Sequence, residues 1–314
     1  MSTQERPARV AAPRKADGCD GVAAAPRVDL CICSYRRPEI VVTLAAISRL
    51  ARNEPRRLRV VVADNTACAE ARSLVRYAAE EFGLDALYLH APAANISIAR
   101  NACLDAARAE WIAFLDDDET PARDWLDALL ARARAGGWDA VVGPVIASYP
   151  DDAPAWMQAG GFHSTAPAQP NGELATAYTG NVLFRRAAAR GLRFRLDLGA
   201  SGGEDEDFFD RFRRAGGRIG FAPNAVCYER VPSKRAGFGW LIRRNFRAGQ
   251  SYGARLRSNA AISIALAAAK ALFCVTAAIL RAPDNIERRR YLTRAALHCG
   301  VVARKAGFRE IRMY

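Results

Sequence analysis

The last quarter of this 314-residue chain has almost no acidic residues. Residues 234–314 hold 17 Lys/Arg against Asp284, Glu287 and Glu310, a net charge of +14. The whole chain carries +13, so residues 1–233 balance to −1. The basic character is therefore local. It argues for one anionic surface facing the C-terminal quarter, membrane or nucleic acid, and a neutral body. The eight cysteines lack a metal-ligand spacing. Cys31 and Cys33 alternate on one predicted strand, while Cys68, Cys103, Cys227, Cys274 and Cys299 are scattered; reduced, packed thiols of a cytosolic protein are expected. Residues 1–26 are rich in Ala, Pro and Arg without an apolar core, so a secretory signal is not expected there and a disordered tail is. The apolar run that reaches the length of a membrane span is Ile262–Leu280, 19 residues interrupted by Lys270. Alanine is weakly hydrophobic and the lysine is central. With Arg255, Arg257, Arg281, Arg288, Arg289 and Arg290 around it, a helix lying at an anionic membrane surface is favoured over a soluble helical hairpin or a true span.

What the chain does have is four consecutive carboxylates, Asp116-Asp117-Asp118-Glu119, directly after the apolar segment Trp111–Leu115. Such a run repels itself and needs compensation. Hard carboxylate oxygens suit Mg²⁺ or Mn²⁺, and the carboxyl end of an α/β strand is where such sheets bind ligands. The alternative is a solvated acidic turn leading into the next helix, with Thr120 and Pro121 as N-cap and first helical residue.

Strand and helix patterns alternate around this run. Val28–Tyr35 reads as a first buried strand, followed by a helix from Pro38-Glu39 through Leu50. Leu58–Ala63 reads as a second strand ending on Asp64-Asn65, residues 67–82 as a helix, Leu87–Leu89 as a third strand, Ile98–Ala109 as a helix and Trp111–Leu115 as the fourth strand. That order predicts an α/β fold with a mostly parallel, doubly wound sheet flanked by helices. Its strand ends, Ser34-Tyr35, Asp64-Asn65 and Asp116–Asp118, then converge on one crevice. Trp138–Val145 is expected as one further strand, residues 147–176 as a long surface excursion, Val182–Phe184 as a return to the core, and Arg218–Phe221 and Ala225–Tyr228 as late strands.

A second acidic cluster, Glu204-Asp205-Glu206-Asp207, follows Gly202-Gly203 and precedes a helix expected over Phe208–Ala215. Paired glycines let backbone approach a ligand, and the acidic residues meet the positive end of the helix dipole. Two carboxylate clusters on one α/β body suggest a division of labour: one holds a metal and an anionic substrate, the other takes a proton. A simple helix N-terminus is the alternative.

Five motifs, in order, resemble family 2 glycosyltransferases of the GT-A (Rossmann-like) fold, from about Val28 to Gln250. They are Cys33-Ser34-Tyr35-Arg36-Arg37; Val62-Ala63-Asp64-Asn65; Asn95-Ile96-Ser97-Ile98-Ala99-Arg100-Asn101; Asp116-Asp117-Asp118, matching Asp-x-Asp; and Gly203-Glu204-Asp205, matching Glu-Asp. The resemblance implies that Cys33, Ser34, Tyr35, Arg37 and Asp64 line the nucleobase side and that Asn95 and Arg100 lie on the donor side. It further implies that Asp116 meets the ribose beside Asp117, and that Asp118 holds a Mg²⁺ or Mn²⁺ bridging the diphosphate. Asp205 is then the general base and Glu204 positions base or acceptor. Ser97 stands where the family often has glycine. Glu229 stands where many members place a metal-ligating histidine. A Gln-x-x-Arg-Trp motif is missing, since Gln250-Ser251-Tyr252-Gly253 fails it, which favours single-sugar addition over processive synthesis.

Residues 229–247 are similar to enzymes of succinoglycan-type exopolysaccharide assembly. That similarity implies a nucleotide-sugar donor, a polyprenyl-diphosphate-linked saccharide acceptor, an anionic membrane surface as partner, and a peripheral location at the cytoplasmic face of the inner membrane. Arg235, Arg243 and Arg247 become diphosphate or acceptor candidates, since arginine forks suit phosphate oxygens; the alternative is that they solvate a helix. The expected organisation is a tail over 1–26, a GT-A domain over 27–232 and a basic helical appendage over 233–314. Two rival readings are a sugar-phosphate nucleotidylyltransferase and a non-enzymatic nucleic-acid-binding protein. The first needs a Gly-rich, Arg-containing phosphate loop where Ser34-Tyr35-Arg36-Arg37-Pro38 stands. The second needs aromatics interleaved with the arginines, whereas Phe238, Trp240 and Phe246 sit at helical core spacing; no nucleic-acid partner is expected.

Overall fold

A computed structural model describes residues 9–10, 28–53, 58–166, 172–200 and 202–311. Its strands are β1 (Arg9–Val10), β2 (Val28–Ser34), β3 (Leu58–Asp64), β4 (Ala86–His90), β5 (Trp111–Asp116), β6 (Glu119–Pro121), β7 (Ala140–Val142), β8 (Val145–Ser148), β9 (Asn181–Arg185), β10 (Ile219–Phe221) and β11 (Cys227–Arg230). Two compact units divide the chain: Met1–Ile146 with Thr165–Glu229, and Ala147–Ser164 with Arg230–Tyr314. Ala147–Ser164 thus falls with the C-terminal helices, although the sequence reading put it inside 27–232.

The first unit is built on an eight-stranded sheet, ordered β1-β4-β3-β2-β5-β9-β7-β10. Strands β2 to β5 run parallel, as do β7 and β10. Strand β9 runs antiparallel between β5 and β7, so the sheet is mostly parallel, as expected. Period-2 side-chain alternation sorts the strands onto two cores. Leu30, Ile32, Val60, Val62, Trp111, Ala113 and Leu115 face one side, against Ile40, Leu44, Val75 and Leu129 of the helices Ile40–Asn53, Ala71–Phe82 and Trp125–Gly136. Cys31, Val61, Ile112 and Phe114 face the other side, against Ala99 and Cys103 of the helix Ile96–Ala106 and Phe208, Phe209 and Phe212 of the helix Glu204–Arg214. Each large side chain fully buried this way contributes roughly 1.5–3 kcal/mol. Phe194 stacks on Phe208 at 4.3 Å between ring centroids and meets Phe114 edge-on at 5.8 Å, which fixes the start of the helix Glu204–Arg214 above the end of β5.

Several elements depart from the sequence reading. The acidic run does not cap a helix: Glu119–Pro121 is β6, which pairs antiparallel with β11, and the next helix begins at Trp125. A second, three-stranded sheet follows from this, ordered β6-β11-β8. The single strand expected over Trp138–Val145 is two strands, interrupted at Gly143-Pro144; proline offers no N–H to a ladder. The helix expected from Phe208 begins at Glu204, because four carboxylates in its first turn sit at the positive end of its dipole. The excursion 147–176 contains the short helix Ala155–Gly160, and residues 167–171 lie outside the described ones. Of the expected tail, Arg9–Val10 pair with Leu87 and Ala86; its other residues lie outside the described ones.

The second unit carries three long helices, Phe238–Arg255, Ala260–Leu280 and Asn285–Lys305. Two of them meet backbone to backbone. A Cβ on Gly249 would stand 1.9 Å from the Leu297 carbonyl oxygen, and one on Gly300 would stand 2.0 Å from that of Phe246. Glycine is required at both positions.

Candidate active site

Parallel pairing brings the strand ends into line. Cys33 lies opposite Asp116, Ser34 opposite Asp64, and Asp64 opposite His90. Glu119 lies opposite Glu229 in the β6–β11 ladder. The acidic run is thus folded back on itself, with Glu229 added from a distant strand.

The electrostatics follow from that crowding. Asp116 keeps contact with solvent, yet the surrounding protein raises its carboxyl to about 7; Arg100 opposes the rise, and Asp118, Asp117 and Glu229 add to it. Burial likewise raises Asp117 to about 7, with Arg37 opposing and Asp118 adding. Burial, then Asp116, Glu229 and Asp118, hold Glu119 well above the usual carboxylate range. Asp118 pairs with the Arg37 Nη1, and Arg37 Nε lies 4.0 Å from Asp117 Oδ1. Thr43 Oγ1 donates to the Asp117 carbonyl oxygen at 3.0 Å, while Asp117 Oδ2 is buried without a hydrogen-bond partner. Oxygens this short of positive charge attract a hard divalent cation, although among the described residues no three such side chains are grouped to hold one.

The second cluster meets the first through Arg100. This buried guanidinium pairs with Glu204 Oε1, lies 5.5 Å over the Phe194 ring, and feels the charges of Glu204, Asp205 and Asp116. Glu204 Oε2 is buried and unpartnered; burial raises this carboxyl, Arg100 opposes, and Asp205 adds. Asp205 accepts from the Glu206 N–H at 2.8 Å through Oδ1. Gly202 and Gly203, at φ 88° and 90°, make the left-handed entry that only glycine adopts without strain.

Two expected ligand contacts turn out to be engaged within the protein. Asp64 is fully buried, and its oxygens accept four bonds: from Thr66 N–H (2.9 Å) and Oγ1 (2.6 Å), Ala71 N–H (2.9 Å) and Tyr88 OH (2.8 Å). It shapes the turn between β3 and the helix Ala71–Phe82. Asn95 caps its helix by accepting from the Ser97 N–H at 3.1 Å and donates to the Leu196 carbonyl at 2.9 Å. With Asn101, which bonds both ways to Phe194 (2.8 and 2.9 Å), it ties the loop 193–199 down ahead of Glu204. Cys33 is held neutral by a hydrogen bond to Cys103 and by burial, which push its thiol well up. Tyr35 is exposed, with Arg36 5.2 Å over its ring. A cavity of about 270 Å³ opens between the end of β2 and the start of the helix Ala71–Phe82, lined by Ser34, Arg36, Arg37, Pro38, Glu70, Ala71 and Leu74.

Arg235, Arg243 and Arg247 belong to the second unit. Arg247 donates to Ser251 Oγ (2.7 Å) and Glu310 Oε2 (2.8 Å). Arg235 lies 5.8 Å and Arg244 5.3 Å from the Trp240 ring, and Arg243 is exposed.

Sequence reasoning missed Gly180. A Cβ there would stand 2.8 Å from Glu119 Oε1 and 3.3 Å from Asp116 Oδ2, so glycine keeps the floor of the acidic site open. It also missed Asn181, whose buried carboxamide accepts from Trp125 Nε1 (2.8 Å) and donates to the Pro144 (3.0 Å) and Ala225 (2.8 Å) carbonyls. The available signal was Thr179-Gly180-Asn181 immediately before an apolar strand.

The profile of Glycosyl transferase family 2 matches residues 29–193. The succinoglycan biosynthesis protein ExoM of Rhizobium meliloti (strain 1021) is 49% identical over 294 residues, spanning 91% of this chain and 95% of that protein. The chain belongs to glycosyl transferase family 2. It is a glycosyltransferase related to a protein of succinoglycan biosynthesis. A pre-mycofactocin glycosyltransferase of Mycobacterium tuberculosis (strain ATCC 25618 / H37Rv) is 28% identical over 204 residues, 62% of this chain and 42% of its own. Among solved structures, the mannosyltransferase PcManGT of Pyrobaculum calidifontis, described in complex with GDP-Man and Mn²⁺, shares the fold at a TM-score of 0.63. It is 23% identical, covering 89% of this chain and 87% of its own. The GT-A fold expected from the motifs is the one observed.

Proposed function

We propose that this glycosyltransferase moves one sugar from a nucleotide-diphosphate sugar, a UDP-sugar, onto a hydroxyl of a lipid-linked saccharide. Transfer is inverting and non-processive, at the cytoplasmic face of the plasma membrane. The observation that carries the reading is the convergence of both carboxylate clusters on Arg100, which pairs with Glu204 and feels Asp205 and Asp116.

The donor lies along the strand ends. The base enters the cavity beside Ser34, Arg37 and Leu74, with Asp64 shaping its wall through Ala71. Asp116 and Asp117 face ribose, and Asn95 acts at a distance by docking the loop 193–199. Asp118 and Glu229 would hold Mg²⁺ or Mn²⁺, since carboxylate oxygens suit a hard divalent cation. When bound, the ion supplies charge neutralisation at the leaving diphosphate. Arg37, paired with Asp118, also lines the donor cavity.

The acceptor hydroxyl is deprotonated by Asp205, whose Oδ1 is held by the Glu206 N–H, as its oxygen attacks the anomeric carbon. Glu204, fixed by Arg100, orients that hydroxyl through its unpartnered Oε2. Arg235 and Arg243 are proposed to serve the acceptor's diphosphate; Arg247, engaged with Glu310, holds its helix instead. Asp205→Asn is expected to lower transfer at least a hundredfold while nucleotide-sugar binding persists. Transfer at the unsubstituted rate would overturn the assignment.

A further inference from the structure

We infer that the apolar helix Ala260–Leu280 is an in-plane anchor on an anionic lipid surface, not a transmembrane span. The inference rests on the peripheral location proposed above and specifies how the chain sits there.

By length and composition this helix could cross a membrane; its 21 residues extend about 32 Å. Its buried positions are Ser263, Ala267, Cys274 and Ala278, one narrow stripe at helical spacing. The opposite face is broad and apolar: Leu272 is 68% exposed, Phe273 65%, Ile279 68% and Leu280 78%, with Ile262 and Leu266 alongside.

The helix packed alongside argues against a span, and Phe273 stands at the flank between the apolar face and that helix. Phe273 meets Tyr291 edge-on at 6.4 Å, and the Lys305 ammonium donates to the Leu256 carbonyl at 2.5 Å. With the packing between the two helices, these contacts set the helix Asn285–Lys305 antiparallel to the apolar helix. At that register Arg294 lies level with Lys270; burial, then Lys270 and Arg294, lower the His298 pKa. A spanning helix would carry Lys270 and Arg294 toward the centre of the hydrocarbon, where charged side chains are rare and costly. The partner helix cannot be left behind, because Gly249 and Gly300 lock it backbone to backbone on the helix Phe238–Arg255.

Lying flat removes the conflict. The face of Leu272, Phe273 and Ile279 then enters the boundary between headgroups and acyl chains, to a depth of about 5–10 Å. Arg257, Lys270 and Arg281 are exposed and meet anionic headgroups, an arrangement the net charge of +14 over 234–314 favours.

The full chain would be mixed with preformed vesicles of phosphatidylcholine with and without 30% phosphatidylglycerol. Cosedimentation and nucleotide-sugar binding would be read on the same samples. The inference expects binding to anionic vesicles, weakened at least tenfold by the double variant Leu272→Glu/Ile279→Glu, with nucleotide-sugar binding unchanged. It also expects cysteines placed at Ala260 and Pro283, with Cys19, Cys68 and Cys299 replaced by serine, to react equally with a membrane-impermeant maleimide. Protection of one end, or vesicle binding indifferent to the double variant, would overturn it. So would a homodimer that the same variant dissolves, which would make a second copy the occupant of this face. Loss of nucleotide-sugar binding in the unsubstituted protein would count against the donor reading alone.

Discussion

Removing Arg100 tests the buried junction between the two carboxylate clusters. In Arg100→Met the guanidinium disappears while a stem of similar volume remains. Glu204 then has Oε1 without its partner, beside an Oε2 that already lacks one, and the residue is 6% exposed. Breaking a buried ion pair from one side costs about 3–5 kcal/mol, because the remaining charge is uncompensated. With a urea dependence of about 3 kcal/mol per molar, the midpoint of the first unit's unfolding falls by about 1–1.7 M. Replacing both partners, Arg100→Met/Glu204→Met, should recover most of the loss, since an apolar pair leaves no orphaned charge. The assay is urea unfolding of the three variants, followed by tryptophan fluorescence and circular dichroism together. A single-variant loss below about 1 kcal/mol, or a double variant less stable than the single, would refute the reasoning.

Two further outcomes are expected. Gly180→Ala should lower transfer more than tenfold and weaken metal-dependent nucleotide binding in calorimetry, because its Cβ would press on Glu119 Oε1; unchanged binding would show that the floor yields. The third concerns His163, 4% exposed, whose pKa is lowered from 6.5 to about 4 by burial, then by the charge of Arg244, against a hydrogen bond to the Arg235 backbone. Its charged form is disfavoured in the fold. Stability is therefore intact above pH 6.5 and declines as pH falls from 6.5 toward 4, by up to about 3 kcal/mol. His163→Phe should flatten that slope in urea unfolding measured across pH, and an unaltered slope would remove His163 from the account.

The parallel core was legible because it is written locally. Leu30, Ile32, Val60, Val62 and Ala113 stand in short apolar runs, and each run ends on a polar residue that marks a strand's carboxyl end. Asp116 and Asp64 were placed on one edge by that rule alone. The pairings that complete the site were not legible, because they join residues far apart in sequence. Nothing near Glu119 announces that it faces Glu229 across an antiparallel ladder, or that β9 inserts between β5 and β7. The same limit explains Asp64 and Asn95. Their positions were legible, but whether a carboxylate meets a ligand or four protein donors depends on Thr66, Ala71 and Tyr88 arriving from three elements. Gly180 shows the reverse case. Its role is steric and lies in a side chain it does not have.

The most direct test of the account is metal-dependent nucleotide binding at the acidic run. UDP, GDP and their sugars would be titrated with and without Mn²⁺ against the unsubstituted chain and Asp118→Asn. The account predicts that a uridine nucleotide binds only with the metal, and that Asp118→Asn weakens this at least tenfold while leaving unfolding unchanged. Equal binding by folded Asp118→Asn, or no nucleotide binding by the unsubstituted chain, would contradict it.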